Sequence, residues 1–291
     1  MKKLFIISSK SGKSDYKIAY EKLLKNFSTD EIKISKNKDD VKKFARQYRD
    51  KVDVIIILGV DGALSESAGE LAGSKTALSL IPMGTANDFS KNFDYTDFDI
   101  ENFKIEKIKK IDLMKINDEI SINIASLGFD TNVLVYAYDY MKRKNAGANL
   151  SYIYGVFKSI VNLENTKLNI IAKTEDGEIN IEGDYLISAL CNGSYYGNGF
   201  NPSPNGKIDD GILNLILGEK MSLIKLATLI MAYKKGKHLG RKGIREIKTT
   251  SGIIKSDREF LYNIDGEIRK ASEIKYEVLK GALNWAYLKG E

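Results

Sequence analysis

The chain has 291 residues with 45 Lys+Arg against 39 Asp+Glu, a formal charge of +6, and is 43% apolar and 29% charged. That length favours two domains, and the composition suits packed cores rather than intrinsic disorder. The longest apolar runs, near Val54–Leu58 and Ile224–Tyr233, fall short of the roughly 20 residues a membrane-spanning helix needs, which excludes a helical membrane protein. The basic start MKKLFIISSKSGK turns polar at Ser8, too early for a signal peptide.

A single cysteine, Cys191, forbids an intramolecular disulfide, and a single histidine, His238, leaves it no second partner. Zinc sites of Cys and His are excluded, as are Cys–His and Ser–His–Asp centres unless His238 serves. His238 lies in a lysine-rich stretch and reads as a solvated surface side chain. The remaining chemistry belongs to carboxylates, hydroxyls, lysines, backbone amides and a hard metal ion, which points toward phosphoryl transfer.

The first 115 residues alternate strand and helix. Leu4–Ile7 is a short strand, and Ile18, Leu23 and Leu24 recur at helical spacing. Val52–Leu58 is a β-branched block that suits a buried parallel strand. A helix over Ala63–Gly73, a strand over Ala77–Ile81 and a helix from Asn87 onward complete the rhythm. It predicts an open, doubly wound α/β sheet with ligands beyond the carboxyl ends of the strands.

From about residue 115 the pattern becomes strand-rich. Ile120–Ala125, Lys167–Ala172, Tyr185–Cys191, Gly211–Leu217, Gly252–Lys255, Phe260–Ile264 and Ile274–Leu279 read as strands. Two helices interrupt them. Leu150–Leu163 carries an apolar stripe of Ile153, Val156, Phe157, Ile160 and Val161, and Ser222–Lys235 carries Ile224, Leu226, Ala227, Ile230 and Met231. The expected division is an α/β domain over residues 1–118, with residues 280–291 returning to it, and a β-rich sandwich over residues 119–279.

Three glycine-bearing segments follow strands in the first half. Ser8–Asp15 (SSKSGKSD) places Gly12 before a helix, but Ile7 stands where a Walker A loop needs glycine, leaving a weak phosphate contact through helix amides. In Leu58–Glu66 (LGVDGALSE), Gly59 and Gly62 flank Asp61 at a strand end. Glycines there admit a phosphate, and an aspartate among them suits a Mg²⁺ network, with a helix N-cap as the alternative. Ile81–Ser90 (IPMGTANDFS) repeats the design with Gly84, Thr85, Asn87 and Asp88. Two such loops from neighbouring strands converge on one crevice. Asn201–Leu217 sets Lys207, Asp209, Asp210 and Gly211 before a strand, a hard-cation turn in outline or a plain acidic turn. Phe260–Glu267 ends in Asp265-Gly266-Glu267, a hairpin signal.

Taken in this order, the segments resemble the diacylglycerol kinase catalytic-domain family, which includes bacterial lipid kinases and sphingosine and ceramide kinases. Ile81–Ser90 is the most specific match, and Ile111–Asn117, Asn123–Asp130 and Cys191–Phe200 are also similar to family segments. The resemblance implies an ATP- and Mg²⁺-dependent lipid kinase with an NAD-kinase-like α/β domain. Ser11, Gly12, Gly59, Asp61, Gly62, Glu66, Gly84, Thr85 and Asp88 would surround the phosphates and ribose. Asp61 and Asp88 would join the magnesium network, with Asp112 supporting it. Lys207, Asp210 and Ile212 fall where the bacterial relatives hold a structural Mg²⁺, the first and last through main-chain carbonyls. Asp265 and Glu267 fall at the catalytic carboxylates together with Asp61, Glu267 as general base.

Three departures stand out. Ser8 and Ser9 replace an Asn-Pro pair, Val60 stands at a family glycine and Ala63 at a family threonine. A valine resists positive φ and holds a phosphate further away. A lipid- or nucleotide-binding protein without turnover is therefore one alternative, and an NAD kinase is another. Lys234–Lys248, with seven basic residues against Glu246 alone, predicts docking on the anionic inner face of a membrane by a cytoplasmic, peripherally associated protein, or else a solvated cationic face. No aromatic platform points to nucleic acid. Two-fold oligomers are common enough that a homodimer is expected.

Overall fold

A computed structural model describes residues 1–9, 16–37, 39–84, 86–96 and 98–290. The chain divides into two compact units, Met1–Leu113 with the segment from Leu279 onward, and Met114–Val278.

The first unit is built on β1 (Lys3–Ser8), α1 (Tyr16–Leu24), β2 (Ile32–Ser35), α2 (Asp40–Tyr48), β3 (Val54–Gly59), α3 (Asp61–Leu71) and β4 (Ala77–Pro82). The four strands run parallel in the order β4-β3-β1-β2. β3 is buried along its whole length, which explains its unbroken apolar run. The core holds Phe5, Ile7, Ile56 and Leu58, and it is completed from the far end of the sequence by Ala286 and Leu288. Trp285 pairs in parallel register with Leu78, stacks on Phe93 at 4.6 Å and meets the edge of Phe89 at 5.5 Å.

The helix expected from Asn87 onward is instead a four-residue 3-10 turn, Phe89–Asn92. Asn87 sits at φ +43, a left-handed conformation that interrupts an α-helical entry. β2 and α2 fall in a stretch where lysines and aspartates mask a narrow buried face of Val41 and Ala45.

The chain leaves this unit within β5 (Phe103–Ile116). It continues through β6 (Glu119–Ser121), β7 (Ile124–Gly128), α4 (Phe129–Lys144), α5 (Ala148–Val161), β8 (Thr166–Thr174), β9 (Gly177–Cys191), β10 (Leu213–Glu219), α6 (Leu223–Lys234), β11 (Ile244–Thr249) and β12 (Ser251–Ile264). It returns within β13 (Glu267–Gly290). Ile120–Ala125 is thus two strands rather than one. The two strands expected over Gly252–Lys255 and Phe260–Ile264 are one, with an irregularity between Lys255 and Phe260.

In the second unit β8 pairs with both β9 and β12, and β7 pairs with the other ends of the same two strands. This antiparallel circuit encloses a core that includes Leu168, Ile170, Leu190, Leu215, Tyr262 and Tyr276, a β-sandwich as expected. α4, an unanticipated helix, packs on α5 through Gly155, where an added Cβ would lie 2.4 Å from the Val133 carbonyl oxygen. α5 therefore turns its small residues Ser151, Gly155 and Ser159 inward. Ile153, Phe157 and Val161 of the expected core stripe are 62–68% exposed, while Val156 and Ile160 pack partly inward. α6 is likewise rotated from expectation. It buries Leu226, Leu229, Ala232 and Tyr233 and leaves Ile224 and Met231 exposed. Among the described residues no helix is long and apolar enough to cross a membrane.

Candidate active site

In the first unit, β3 and β4 end side by side, with Gly59 opposite Pro82. The loops that follow are tied together by backbone and carboxylate. Met83 N–H donates to the Gly59 carbonyl at 2.9 Å. The Asp61 carboxylate accepts the amides of Asp88 at 2.8 Å and Phe89 at 3.2 Å. Asn87 closes the second loop on Gly84, its Oδ1 accepting the Gly84 amide at 3.1 Å and its Nδ2 donating to the Gly84 carbonyl at 2.6 Å. Asp88 is buried and ion-paired with Lys91.

Asp61 opens α3, whose N-cap Val60 contributes no side-chain cap. First-turn amides of a helix have no intrahelical acceptor and favour an anion. A Cβ on Gly62 would meet nothing within 4 Å, so open space lies beside that turn. Glu66 follows in α3, half-buried.

Val60 adopts φ −111 and ψ 171, an extended conformation open to any residue, so the expected conformational penalty for replacing glycine does not arise. What the valine changes is volume, because its Cγ1 lies 2.5 Å from the place a Cβ would take on Gly84. Ala63 is buried in α3 and faces no open surface. Ser11, Gly12 and Thr85 lie outside the described residues. Asp112 is buried, and its Oδ1 accepts the amide of Gly281 at 2.6 Å.

In the second unit, Asp265 and Gly266 form a two-residue turn between β12 and β13, both at positive φ (+48 and +93). The Asp265 carboxylate is surrounded by donors: Ser121 Oγ at 2.8 Å and the amides of Ile122, Asn123 and Ile124 at 3.0–3.1 Å. Asn192 Nδ2 secures the same segment through the Ile122 carbonyl at 2.7 Å. A carboxylate held by three amides and a hydroxyl is a tether for the β6–β7 connection. Asp265, expected among the catalytic carboxylates, thus has its oxygens engaged by the β6–β7 connection.

Glu267, the first residue of β13, has a side chain 64% exposed and lies 3.7 Å from an Arg269 guanidinium nitrogen. Arg269 is itself held by Glu119 through two bonds of 2.9 Å. Tyr138 of α4 donates to the Gly266 carbonyl at 3.0 Å. Its hydroxyl is pushed above the usual tyrosine range, first by partial burial and then by the charge of Glu267. Sequence reasoning missed Arg269, Glu119 and Tyr138, which the fold brings in from three elements.

Asp210 lies exposed in the turn before β10, its Oδ1 accepting the Ile212 amide at 3.0 Å, with Lys207 also exposed. This is the turn on which the resemblance implies a cation, through the Asp210 carboxylate and the main-chain carbonyls of Lys207 and Ile212. No group of three or more His, Cys, Asp or Glu that could hold a metal occurs among the described residues.

His238 is not solvated. It is fully buried, its Nε2 is 2.9 Å from the Pro202 carbonyl, its ring lies 4.5 Å from that of Tyr233, and burial pulls its pKa down to about 4. Asp130 of α4 is buried too. Burial raises its pKa to about 6 against the pull of the Tyr196 and Tyr233 hydroxyls.

Parallel strands whose ends carry glycine loops braced by a carboxylate define an α/β class that handles phosphate at its strand ends. Residues 2–116 match the model of the diacylglycerol kinase catalytic domain, and residues 123–287, more than half the chain, match the YegS C-terminal NAD kinase beta sandwich-like domain. A "Probable lipid kinase YegS-like" of Stenotrophomonas maltophilia is 28% identical over 86% of this chain and 84% of that protein. A protein of the same description from Pectobacterium atrosepticum is 27% identical over 97% of this chain and 94% of its own. The fold is similar to the crystal structure of a diacylglycerol kinase from Bacillus anthracis, with a TM-score of 0.72, 24% identity and coverage of 98% and 96%. The chain belongs to the diacylglycerol kinase catalytic-domain family of lipid kinases, in its YegS-like form.

Proposed function

We propose that this chain is an ATP- and Mg²⁺-dependent kinase that phosphorylates the hydroxyl of diacylglycerol or a similar lipid alcohol at the inner face of a membrane. The observation that carries the reading is the Asp61 brace between the two strand-end loops, beside the open space at Gly62 and the first turn of α3. The open space at Gly62 admits the triphosphate, and the α3 amides bind its charge. Asp61 fixes the second loop, and the Asp61 and Asp88 carboxylates supply the oxygen chemistry a hard cation takes. Asp210 with the carbonyls of Lys207 and Ile212 is suited to a structural cation. Bound Mg²⁺ would neutralise charge on the transferring phosphoryl group.

Glu267 is the proton acceptor in this reading. Among the described residues no amide donor is bonded to it, whereas Asp265 is surrounded by them, and a general base needs a lone pair for the proton. The lipid oxygen loses its proton to Glu267 and bonds to the γ-phosphorus. The bond from that phosphorus to the bridging oxygen breaks, and ADP departs. Asp265 and Arg269 position the turn that carries the base.

A lipid acceptor is supported by the exposed apolar side chains on two helices, Leu150, Ile153, Phe157 and Val161 on α5 and Leu223, Ile224 and Met231 on α6. Lysines flank both groups, which suits the anionic leaflet expected as a partner.

The test is transfer of label from radiolabelled ATP by the purified full chain to a panel of lipids in mixed micelles, with NAD as the competing acceptor. Label on a lipid alcohol that disappears on chelation of Mg²⁺ and in Glu267→Gln supports the reading. Label on NAD, or on no acceptor while vesicles are still bound, replaces it with one of the two alternatives.

A further inference from the structure

The second unit contains a cleft of about 410 Å³ between the end of β10, the start of α6 and the turn that leads into β11. That volume falls in the lower part of the roughly 300–1,000 Å³ range of ligand pockets. Four cations line it, Lys220, Lys225, Arg241 and Lys242, against one carboxylate, Glu219, so the local formal charge is four minus one, or +3. Among the described residues none of the four has an acidic partner within ion-pair distance. They come from two separate stretches of sequence, and only the fold makes them neighbours.

The backbone around them is already fixed. Glu219 N–H donates to the Gly243 carbonyl at 2.8 Å, and Ile244 N–H donates to the Arg241 carbonyl at 3.0 Å. Gly243 takes φ +84 in that turn, and Arg241 Nε is anchored on the Lys237 carbonyl at 3.1 Å, leaving the outer guanidinium nitrogens for another acceptor. One wall is apolar, from Leu229 and Ile244. Leu223 and Ile224, 54% and 81% exposed, stand between Lys220 and Lys225 in the sequence.

Like charges held together repel unless an anion joins them, and each of these side chains can only donate. A tetrahedral group with several charged oxygens accepts from more than one cation through charge-assisted bonds. We infer that this cleft binds a phosphate group carried by an organic ligand with an apolar part, either the headgroup of an anionic phospholipid or a soluble organic phosphate. It shares no residue with the groups assigned to phosphoryl transfer, and binding is read without ATP, so loss of turnover would leave it standing.

The experiment measures binding of glycerol 3-phosphate to the full chain by calorimetry, and sedimentation of the chain with phosphatidylcholine vesicles with and without phosphatidylglycerol. Lys220→Gln/Lys242→Gln removes two of the four cations. Lys142→Gln/Lys144→Gln, exposed on α4, makes the same change in net charge elsewhere. All four lysines are exposed, and the melting temperatures of both variants verify the fold. Expected is on the order of tenfold weaker binding in the first variant and little change in the second. Glu219→Gln should tighten binding severalfold. Binding of glycerol 3-phosphate that competes with vesicles identifies a soluble ligand, whereas binding to phosphatidylglycerol vesicles alone identifies the headgroup. Absence of both, equal loss in the two double variants, or no gain in Glu219→Gln overturns the inference.

Discussion

Asp61 accepts the main-chain amide of Asp88 at 2.8 Å, across 27 residues of sequence, and so fixes the loop after β4 to the helix after β3. An asparagine there would keep one acceptor and turn an NH₂ toward the other amide. In Asp61→Asn, hydrogen exchange at the Asp88 and Phe89 amides should accelerate, and kcat/KM should fall by about 10²-fold, as for loss of a preorganised charged contact. Unchanged exchange with lost activity would restrict Asp61 to contacts with the nucleotide.

Val60 and Gly84 occupy one space. Gly84→Ala would drive a methyl to within 2.5 Å of Val60 Cγ1 and 2.8 Å of Asn87 Oδ1, so it should destabilise by about 1–3 kcal/mol. Adding Val60→Gly removes the first clash and leaves the second, so the double variant should recover part of the loss. A double-mutant cycle in urea reads the coupling directly. Val60→Gly alone should lower the KM for ATP if the valine narrows the phosphate loop.

Asp265 and Glu267 are two residues apart and should behave as opposites. Asp265→Ala strands three amides and a hydroxyl, and should cost about 3 kcal/mol of stability in chemical denaturation. Glu267→Gln touches an exposed side chain and should leave the melting temperature in place while phosphoryl transfer falls by about 10²–10⁴-fold.

Two buried groups give opposed dependences on pH. The folded pKa of Asp130 is about 6 against an ordinary 3.8, so the native state holds the extra proton between those values and stability falls as pH rises through them. The folded pKa of His238 is about 4 against 6.5, so its contribution is complete above 6.5 and is lost as pH falls toward 4. Each is worth about 3 kcal/mol across its window, and in the overlap they offset one another. Asp130→Asn should therefore reveal a chain that weakens on acidification, and His238→Gln one that weakens as pH rises from about 4 to about 6. Urea unfolding across that range measures both slopes.

The sequence made some of this legible for physical reasons that differ by element. β3 was plain because a central parallel strand buries both faces and reads as one apolar block. The Asp265-Gly266 turn was plain because a two-residue hairpin demands positive φ twice. α4 was missed although Phe129, Val133, Leu134 and Ala137 recur on one face and three basic residues close its last turn. Its β-branched and aromatic content obscured the period. α5 was found but turned the wrong way, because periodicity locates an apolar stripe without saying whether small residues opposite it permit closer packing. At the candidate site, the motif glycines and carboxylates were visible as residue types. Their partners were not, since the acceptors and donors are main-chain atoms, and Arg269 meets Glu119 across 150 residues and Tyr138 meets Gly266 across 128.

The return of β13 to the first unit has a temporal consequence. During synthesis every strand of the parallel sheet up to β4 emerges early, yet the tryptophan that covers Phe89 and Phe93, and the alanine and leucine that seal the core, are translated some 170 residues after β5 has ended. Until then that surface stays open to solvent or to a chaperone. The half that carries Asp61 must wait for the half that carries Glu267.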